Sequence, residues 1–135
     1  DYVEYAVWSP GGRLAWLSPL GVYIWDGTRV LTADSGAAGA AYPSWSSDGR
    51  LTWEAGGDIF VWDGGAVINV THDVEQEISP AWSGDGRLAW TSFRNGAGNV
   101  SIWDGTTVTQ VTQVRFPGAD FFLSWSGGPP KEWTR

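Results

Sequence analysis

Acidic side chains and a single histidine are the residues of this chain whose types and spacing could do chemistry. His72 is the only histidine among 135 residues, there is no cysteine, and Asp73, Glu75 and Glu77 follow closely. A Ser-His-Asp or Cys-His arrangement would have to use that one imidazole, and no Gly-x-Ser-x-Gly elbow accompanies it. Two carboxylates could alternatively hydrolyse a glycosidic bond, but no other part of the sequence offers a partner acid at a matching position. We interpret this segment as a solvated acidic connector.

Sites for metals and phosphates are also not indicated. Carboxylates could bind Ca²⁺, but no loop has the regular alternation of Asp that such sites use. The segment 36–39 (GAAG) lacks the Lys-Ser/Thr ending of a phosphate-binding loop. We therefore predict that the protein is not an enzyme and has no catalytic residue, no metal and no cofactor.

Composition limits the partners. The formal net charge of −7 disfavours nucleic acid and anionic membrane surfaces, which attract Lys and Arg. No apolar run approaches the ~18 residues of a membrane span, and the first residues lack the pattern of a signal peptide. Because the sequence does not begin with Met, we expect a processed product or an excised piece, and the compartment stays open.

The elements that must position any site come from a repeat. Residues 8–16 (WSPGGRLAW), 45–53 (WSSDGRLTW) and 82–90 (WSGDGRLAW) are near copies spaced 37 residues apart. Each is followed by Trp-Asp-Gly, at 25–27, 62–64 and 103–105. Self-similarity at such a period is typical of repeat architectures.

Each repeat is predicted to form four strands. In the third repeat we expect strands at 78–83, 87–91, 100–103 and 108–112, with a looser connection over 92–99. Equivalent strands are expected at 42–46, 50–54, 58–62 and 66–71, and at 4–9, 13–17, 21–25 and 29–32. Asp-Gly pairs between them favour tight hairpins. The unit is thus a four-stranded antiparallel meander in an all-β protein.

The strand at 58–62 indicates how the sheets pack. Ile59 and Val61 point to one face and Phe60 and Trp62 to the other, so both faces are apolar. An antiparallel strand with one buried face should alternate with polar residues, so sheets are expected on both sides. Sheets stacked around an axis, as in a β-propeller, meet that requirement.

The same residues carry a family resemblance. The segments 79–94 (SPAWSGDGRLAWTSFR) and 98–105 (GNVSIWDG) resemble the WD-like propeller repeat of TolB-type proteins, and the resemblance covers essentially the whole chain. It implies β-propeller blades, at about 3–34, 41–72 and 78–113, with a partial fourth at about 120–135. It implies no particular activity, because propellers have many unrelated functions.

Blade number raises the question of closure. Propellers typically close with ~4–8 blades, and three blades with part of a fourth cannot close alone. We therefore hypothesise that the chain associates with itself, as a dimer or trimer that completes the ring. The alternative is that the chain is a fragment of a larger propeller.

Candidate binding residues lie in what differs between repeats. Nine of the eleven Trp occupy equivalent positions in the three repeats, which favours packing over the alternative of a carbohydrate-binding propeller lectin. The variable connections share one face and are expected to bind a protein or peptide of basic character. The candidate partner-binding residues are Asp34, Tyr42, Glu54, Asp58, His72, Asp73, Glu75, Glu77, Phe93, Arg94, Asn95, Arg115, Phe116 and Asp120. The predicted function is thus a non-catalytic scaffold or protein-interaction module that self-assembles into a ring.

Overall fold

The described part of the chain forms twelve β-strands in three four-stranded antiparallel sheets. The computed structural model describes residues 2–72, 76–94 and 97–112, and over these residues it contains no helix. The first sheet comprises β1 (Glu4–Trp8), β2 (Leu14–Ser18), β3 (Gly21–Trp25) and β4 (Val30–Ala33). The second comprises β5 (Ala41–Trp45), β6 (Leu51–Ala55), β7 (Asp58–Trp62) and β8 (Val67–Asn69). The third comprises β9 (Gln76–Trp82), β10 (Leu88–Arg94), β11 (Ala97–Trp103) and β12 (Val108–Gln110).

Strands that follow one another along the chain are neighbours in each sheet, so each sheet is a meander. The turn between the first two strands needs a left-handed residue, which is glycine every time: Gly12, Gly49 and Gly86 have φ of 87°, 87° and 88°. The predicted all-β class and the four-stranded antiparallel unit are confirmed. Within the described residues, no helix is long and apolar enough to cross a membrane.

The ends of some strands differ from the prediction. The loose connection predicted over 92–99 is wrong, because β10 continues to Arg94 and β11 starts at Ala97. Ser92 pairs with Asn99 and Phe93 with Gly98 across the hairpin. Residues that favour turns in isolation are held here in a ladder by backbone pairing.

The sheets pack face to face through two apolar clusters. The first joins Leu17 and Ile24 of the first sheet to Trp53 and Trp62 of the second. The second cluster lies between the second and third sheets. It contains Ile59, Val61, Leu88, Trp90 and Trp103. The middle sheet is therefore buried on both faces, with Phe60 and Trp62 towards the first sheet and Ile59 and Val61 towards the third, as the sequence predicted.

A repeated irregularity marks the first strand of every sheet. Tyr5, Tyr42 and Ser79 occupy the same place in the three repeats and have φ of 56°, 55° and 56°. The pairing register shifts across each of them. Such bulges bend a strand and redirect its side chains, and a left-handed residue other than glycine stores backbone strain.

Candidate functional site

One hydrogen bond recurs in both joints between successive sheets. The indole Nε1 of Trp45 donates a hydrogen bond to the carbonyl oxygen of Val7, at 3.0 Å. One repeat later, Nε1 of Trp82 donates to the carbonyl oxygen of Ser44, also at 3.0 Å. The two joints thus share one donor position and one acceptor position.

An arginine completes each joint. The guanidinium of Arg13 lies over the ring of Trp62 at 5.6 Å, and that of Arg50 lies over the ring of Trp82 at 4.7 Å, so the two equivalent arginines contact different tryptophans of the repeat. Arg50 also donates to the carbonyl oxygen of Gly86 at 2.9 Å. A guanidinium over an indole face is attracted by the ring quadrupole, so these contacts attach each turn to the next sheet.

The turn that carries the arginine is held by a serine and an aspartate. Ser46 is fully buried, and its Oγ accepts from the backbone N–H of Arg50 at 2.8 Å and donates to Asp48. The carboxylate of Asp48 accepts from Nε of Arg50 at 3.0 Å. The Ser46 hydroxyl first, and then Arg50, lowers the pKa of Asp48. The carboxylate of Asp48 therefore has a structural role, because it orients the guanidinium of Arg50.

The Asp of each Trp-Asp-Gly motif has a similar structural role. Oδ1 of Asp63 accepts from the backbone N–H groups of Ala66 at 2.8 Å and Gly65 at 2.9 Å. Those two bonds, Ala66 first, lower the pKa of Asp63. Asp26 and Asp104 make the equivalent pair of bonds in their own turns.

The predicted binding residues fall into several environments. Asp34 is exposed in the β4–β5 connection, where it accepts from the backbone N–H of Gly36 at 2.8 Å. Tyr42 is 55% exposed, and its ring lies 6.1 Å from that of Tyr5. Tyr42 lies in β5, so the exposed residue belongs to a strand rather than to a loop.

Asp58 and His72 are brought together through Asn69. Asp58 accepts from Nδ2 of Asn69 at 3.1 Å and from Oγ1 of Thr71 at 2.8 Å. The backbone N–H of His72 donates to Oδ1 of Asn69 at 3.1 Å. These bonds tie the end of β8 to the start of β7, and the exposed imidazole makes no hydrogen bond to the described residues.

Glu54 and Glu77 lie in strands and are buried to different extents. Glu54, in β6, is half-buried, and its Oε2 has no hydrogen-bond partner in the described structure. Burial raises the pKa of Glu54, against a smaller opposite effect of the Ser79 backbone N–H. Glu77, in β9, is fully buried and its Oε2 accepts from Oγ of Ser92. Neither carboxylate is displayed freely to a partner.

The other predicted positions lie at or beyond the limits of description. Phe93 is half-buried in β10, and Arg94 ends that strand, with only its backbone described. Asp73, Glu75, Asn95, Arg115, Phe116 and Asp120 lie outside the described residues.

A cleft of about 460 Å³ lies beside the first sheet. Tyr2, Tyr5, Leu17, Pro19 and residues 38–41 form most of its wall, and Glu4 is the only carboxylate among the described residues that line it. Across the described ranges, no three His, Cys, Asp or Glu residues are grouped so that they could hold a metal ion. Polar and apolar atoms contribute about equally to the lining of the cleft.

The sequence analysis missed an aromatic surface on the first sheet. We define the outer face of the first sheet by Trp8, Leu14, Trp16, Tyr23, Trp25 and Val30, which pair with one another across β1–β4. Trp8 is 63% exposed and Trp25 is 37% exposed, whereas Trp62, the equivalent of Trp25, is 5% exposed. The signal was present in the repeat itself, because the first copy carries tryptophans at the positions that are covered in the second copy.

Comparison of the chain with known protein families and with curated proteins finds no match.

Proposed function

We propose that the chain is a non-catalytic interaction scaffold built of β-propeller-type blades, which completes its row of sheets by associating with further copies of itself. The observation that carries this proposal is the repetition of one joint. The indole-to-carbonyl bonds of Trp45 and Trp82 have the same length and the same positions in the repeat. A joint that recurs in this way can add further sheets without new chemistry.

Burial of the sheet faces supports closure by association. The middle sheet buries both faces, while the outer face of the first sheet leaves large aromatic side chains exposed. A row of blades that does not close leaves the apolar faces at its ends exposed to water, whereas a closed ring buries them. The repeat's resemblance to TolB-type propellers points to the same arrangement.

The roles of the polar side chains support a non-catalytic function. The carboxylates of Asp48 and Asp63 hold turns and have a lowered pKa, which is the opposite of what a general acid at neutral pH requires. Asp58 is engaged with Asn69 and Thr71. The exposed Asp34 and Tyr42, with the net charge of −7, suit a basic protein or peptide as a further partner.

Sedimentation equilibrium of the full chain over a range of micromolar concentrations tests the proposal. We expect a mass of two or three chains, with association that depends on concentration. A monomer at every concentration would contradict self-assembly. Small-angle scattering of the assembled species should then give a compact ring rather than an extended row.

The alternative function is carbohydrate binding, and the exposed indoles of Trp8 and Trp25 are the observation that favours it. Aromatic faces pack against the apolar side of sugar rings. Titration with a panel of common sugars, followed by tryptophan fluorescence, distinguishes the two functions. Saturable quenching by one sugar would support the lectin, and no response across the panel would remove it.

A further inference from the structure

We infer that a groove between the β2–β3 turn and the β4–β5 connection binds an extended segment of a partner protein that carries two basic side chains. The inference rests on the basic partner included in the proposed function. It adds the surface that binds this partner and the chemistry by which the partner is recognised.

The groove consists of two adjoining clefts. The first is the cleft of about 460 Å³ beside the first sheet, and the second has a volume of about 270 Å³. They share Ser18, Pro19 and residues 38–40 as a common wall. Sites for small molecules enclose most of their ligand, whereas Pro19, Ala38 and Gly39 of this wall are exposed. The groove is therefore open along its length, which suits a segment of a larger partner.

Small residues of the β4–β5 connection create the space. Ala40 occupies the position at which the third repeat has Glu77, whose side chain is fully buried. A Cβ atom added at Gly39 would meet no other atom within 4 Å. The third repeat thus has a large buried side chain where the groove has open space, so the groove belongs to the first joint and is not a feature of every repeat.

The groove lies between two sheets that the chain itself supplies. Leu17, which lines the first cleft, also belongs to the apolar cluster between the first and second sheets. The ring of Tyr5, in the same wall, contacts the ring of Tyr42 at 6.1 Å. Tyr42 is 55% exposed although its strand contacts both β1 and β9. Side chains at this end of the first strands are therefore accessible even where sheets lie on both sides.

The charges of the groove select a basic partner. Glu4 lines the first cleft and Asp34 lines the second, and both residues are exposed. Among the described residues that line the two clefts there is no Lys, Arg or His. Each cleft therefore offers one carboxylate to a cation, and complementary charge across a contact favours the matching partner. Two basic side chains on one segment match the two clefts.

Aromatic rings in the first cleft favour arginine as one of these basic residues. Tyr2 and Tyr5 line this cleft together with Glu4. The face of an aromatic ring attracts a cation, and in proteins the cation is more often arginine than lysine. The chain uses the same contact internally, where Arg13 and Arg50 lie over tryptophan rings. Aromatic faces beside a carboxylate are thus the chemistry that recognises a guanidinium.

Titration with defined peptides tests the inference. The probes are short peptides of alanine and serine that carry two arginines at different separations, and the control peptides carry glutamine in place of arginine. Amide shifts in ¹H–¹⁵N NMR spectra of the full chain give both the dissociation constant and the place of contact. We expect saturable binding of an arginine peptide, with the largest shifts at residues 34–41, and no saturable binding of the glutamine peptides.

Variants of the chain separate the groove from the net charge. Glu4→Gln and Asp34→Asn each remove one carboxylate of the groove, and Ala40→Gln fills its space without changing the charge. Because Ala40 is half-buried, Ala38→Gln at an exposed position of the shared wall serves as a second filling variant. The control Asp63→Asn removes the same charge from the exposed β7–β8 turn, at the opposite end of the sheets. Circular dichroism and urea unfolding first confirm that each variant folds.

The expected effects differ between these variants. Glu4→Gln and Asp34→Asn should each weaken binding of the arginine peptide by about two- to fivefold, as expected for the loss of an exposed ion pair. The filling variants should weaken it by about tenfold or more, because the added side chain occupies space that the peptide needs. Asp63→Asn should leave the dissociation constant within about twofold, because salt screens a distant charge.

The outcomes separate the inference from the proposed function. If arginine peptides bind but the groove variants match Asp63→Asn, the basic partner binds elsewhere; the inference is then overturned while the basic partner stands. If the filling variants bind as the wild type does, surface charge alone holds the peptide and the groove is likewise overturned. If no arginine peptide binds at millimolar concentration, the inference and the basic partner both fail, and self-association is still decided by sedimentation. Weaker binding by every groove variant with an unchanged control supports both.

Discussion

Replacing Trp45 by phenylalanine isolates the joint between the first and second sheets. The ring remains aromatic, but the Nε1 donor to the Val7 carbonyl is lost. The chain provides a matched control, because Trp8 occupies the same position of the first repeat and is 63% exposed, and within the described residues its Nε1 donates no hydrogen bond. The same substitution can therefore be made with and without the joint.

The expected loss of stability at position 45 comes from two effects. A hydrogen bond of this kind contributes about 0.5–1.5 kcal/mol net, and the half-buried Val7 carbonyl keeps some access to water. An indole exceeds a phenyl ring by ~50 Å² of apolar surface, which at ~25 cal/mol per Å² adds about 1 kcal/mol. We therefore expect Trp45→Phe to lower the free energy of unfolding by about 2 kcal/mol. Trp8→Phe should change it by less than about 0.5 kcal/mol.

Urea unfolding followed by far-UV circular dichroism measures both variants. The measurements are made at the lowest practical concentration, so that association does not add to the apparent stability. Equal losses for Trp45→Phe and Trp8→Phe would refute the reasoning, because the joint would then contribute nothing specific. A loss below about 0.5 kcal/mol at position 45 would do the same.

Two further predictions concern a turn and a buried carboxyl. Gly11→Asp should raise the free energy of unfolding by about 0.5–1 kcal/mol. Gly11 does not have a positive φ, and there is open space for a side chain. In the second repeat the equivalent residue is Asp48, which pairs with Arg50. The control Gly12→Asp should destabilise the fold, because Gly12 has φ of 87°, which only glycine adopts readily. If urea unfolding shows that Gly12→Asp raises the free energy of unfolding, or that Gly11→Asp does not, this account is wrong. Burial raises the pKa of Glu54 in the folded state, so its contribution to stability is complete below the unfolded pKa and declines as the pH rises through the folded value. The urea midpoint of the wild type should therefore fall more between about pH 4 and about pH 8 than the midpoint of Glu54→Gln does. If the midpoints of the two proteins fall in parallel with pH, Glu54 does not cause the decrease.

The fold followed from local signals that survive in each repeat. Asp-Gly or Gly-Gly pairs define the tight turns, and the apolar residues on both faces of β7 indicated sheets on both sides. The extended hairpin of β10 and β11 did not follow, because Gly98 and Asn99 favour turns unless a partner strand pairs with them. Local preference cannot reveal a partner supplied by the other arm of the hairpin.

The candidate site was harder to predict because exposure depends on packing between repeats. Trp8 and Trp45 are equivalent in sequence, yet one is largely in water and the other donates to the preceding sheet. The burial of Glu77 and the hydrogen bonds of Asp58 likewise depend on neighbouring strands. From residue type alone we predicted that these carboxylates form an exposed acidic surface. In the structure, contacts with residues distant in sequence bury Glu77 and engage Asp58 in hydrogen bonds.

The reach of the indole bond has a consequence for how such a chain can lengthen in evolution. Each indole donates to an acceptor in the repeat immediately before its own, so the bond of Trp82 requires Ser44 and no residue of an earlier repeat. A gene duplication that copies one whole repeat would therefore create a new donor together with its acceptor. A duplication that copies only part of a repeat would separate them, so growth by complete repeats is the change this protein tolerates best.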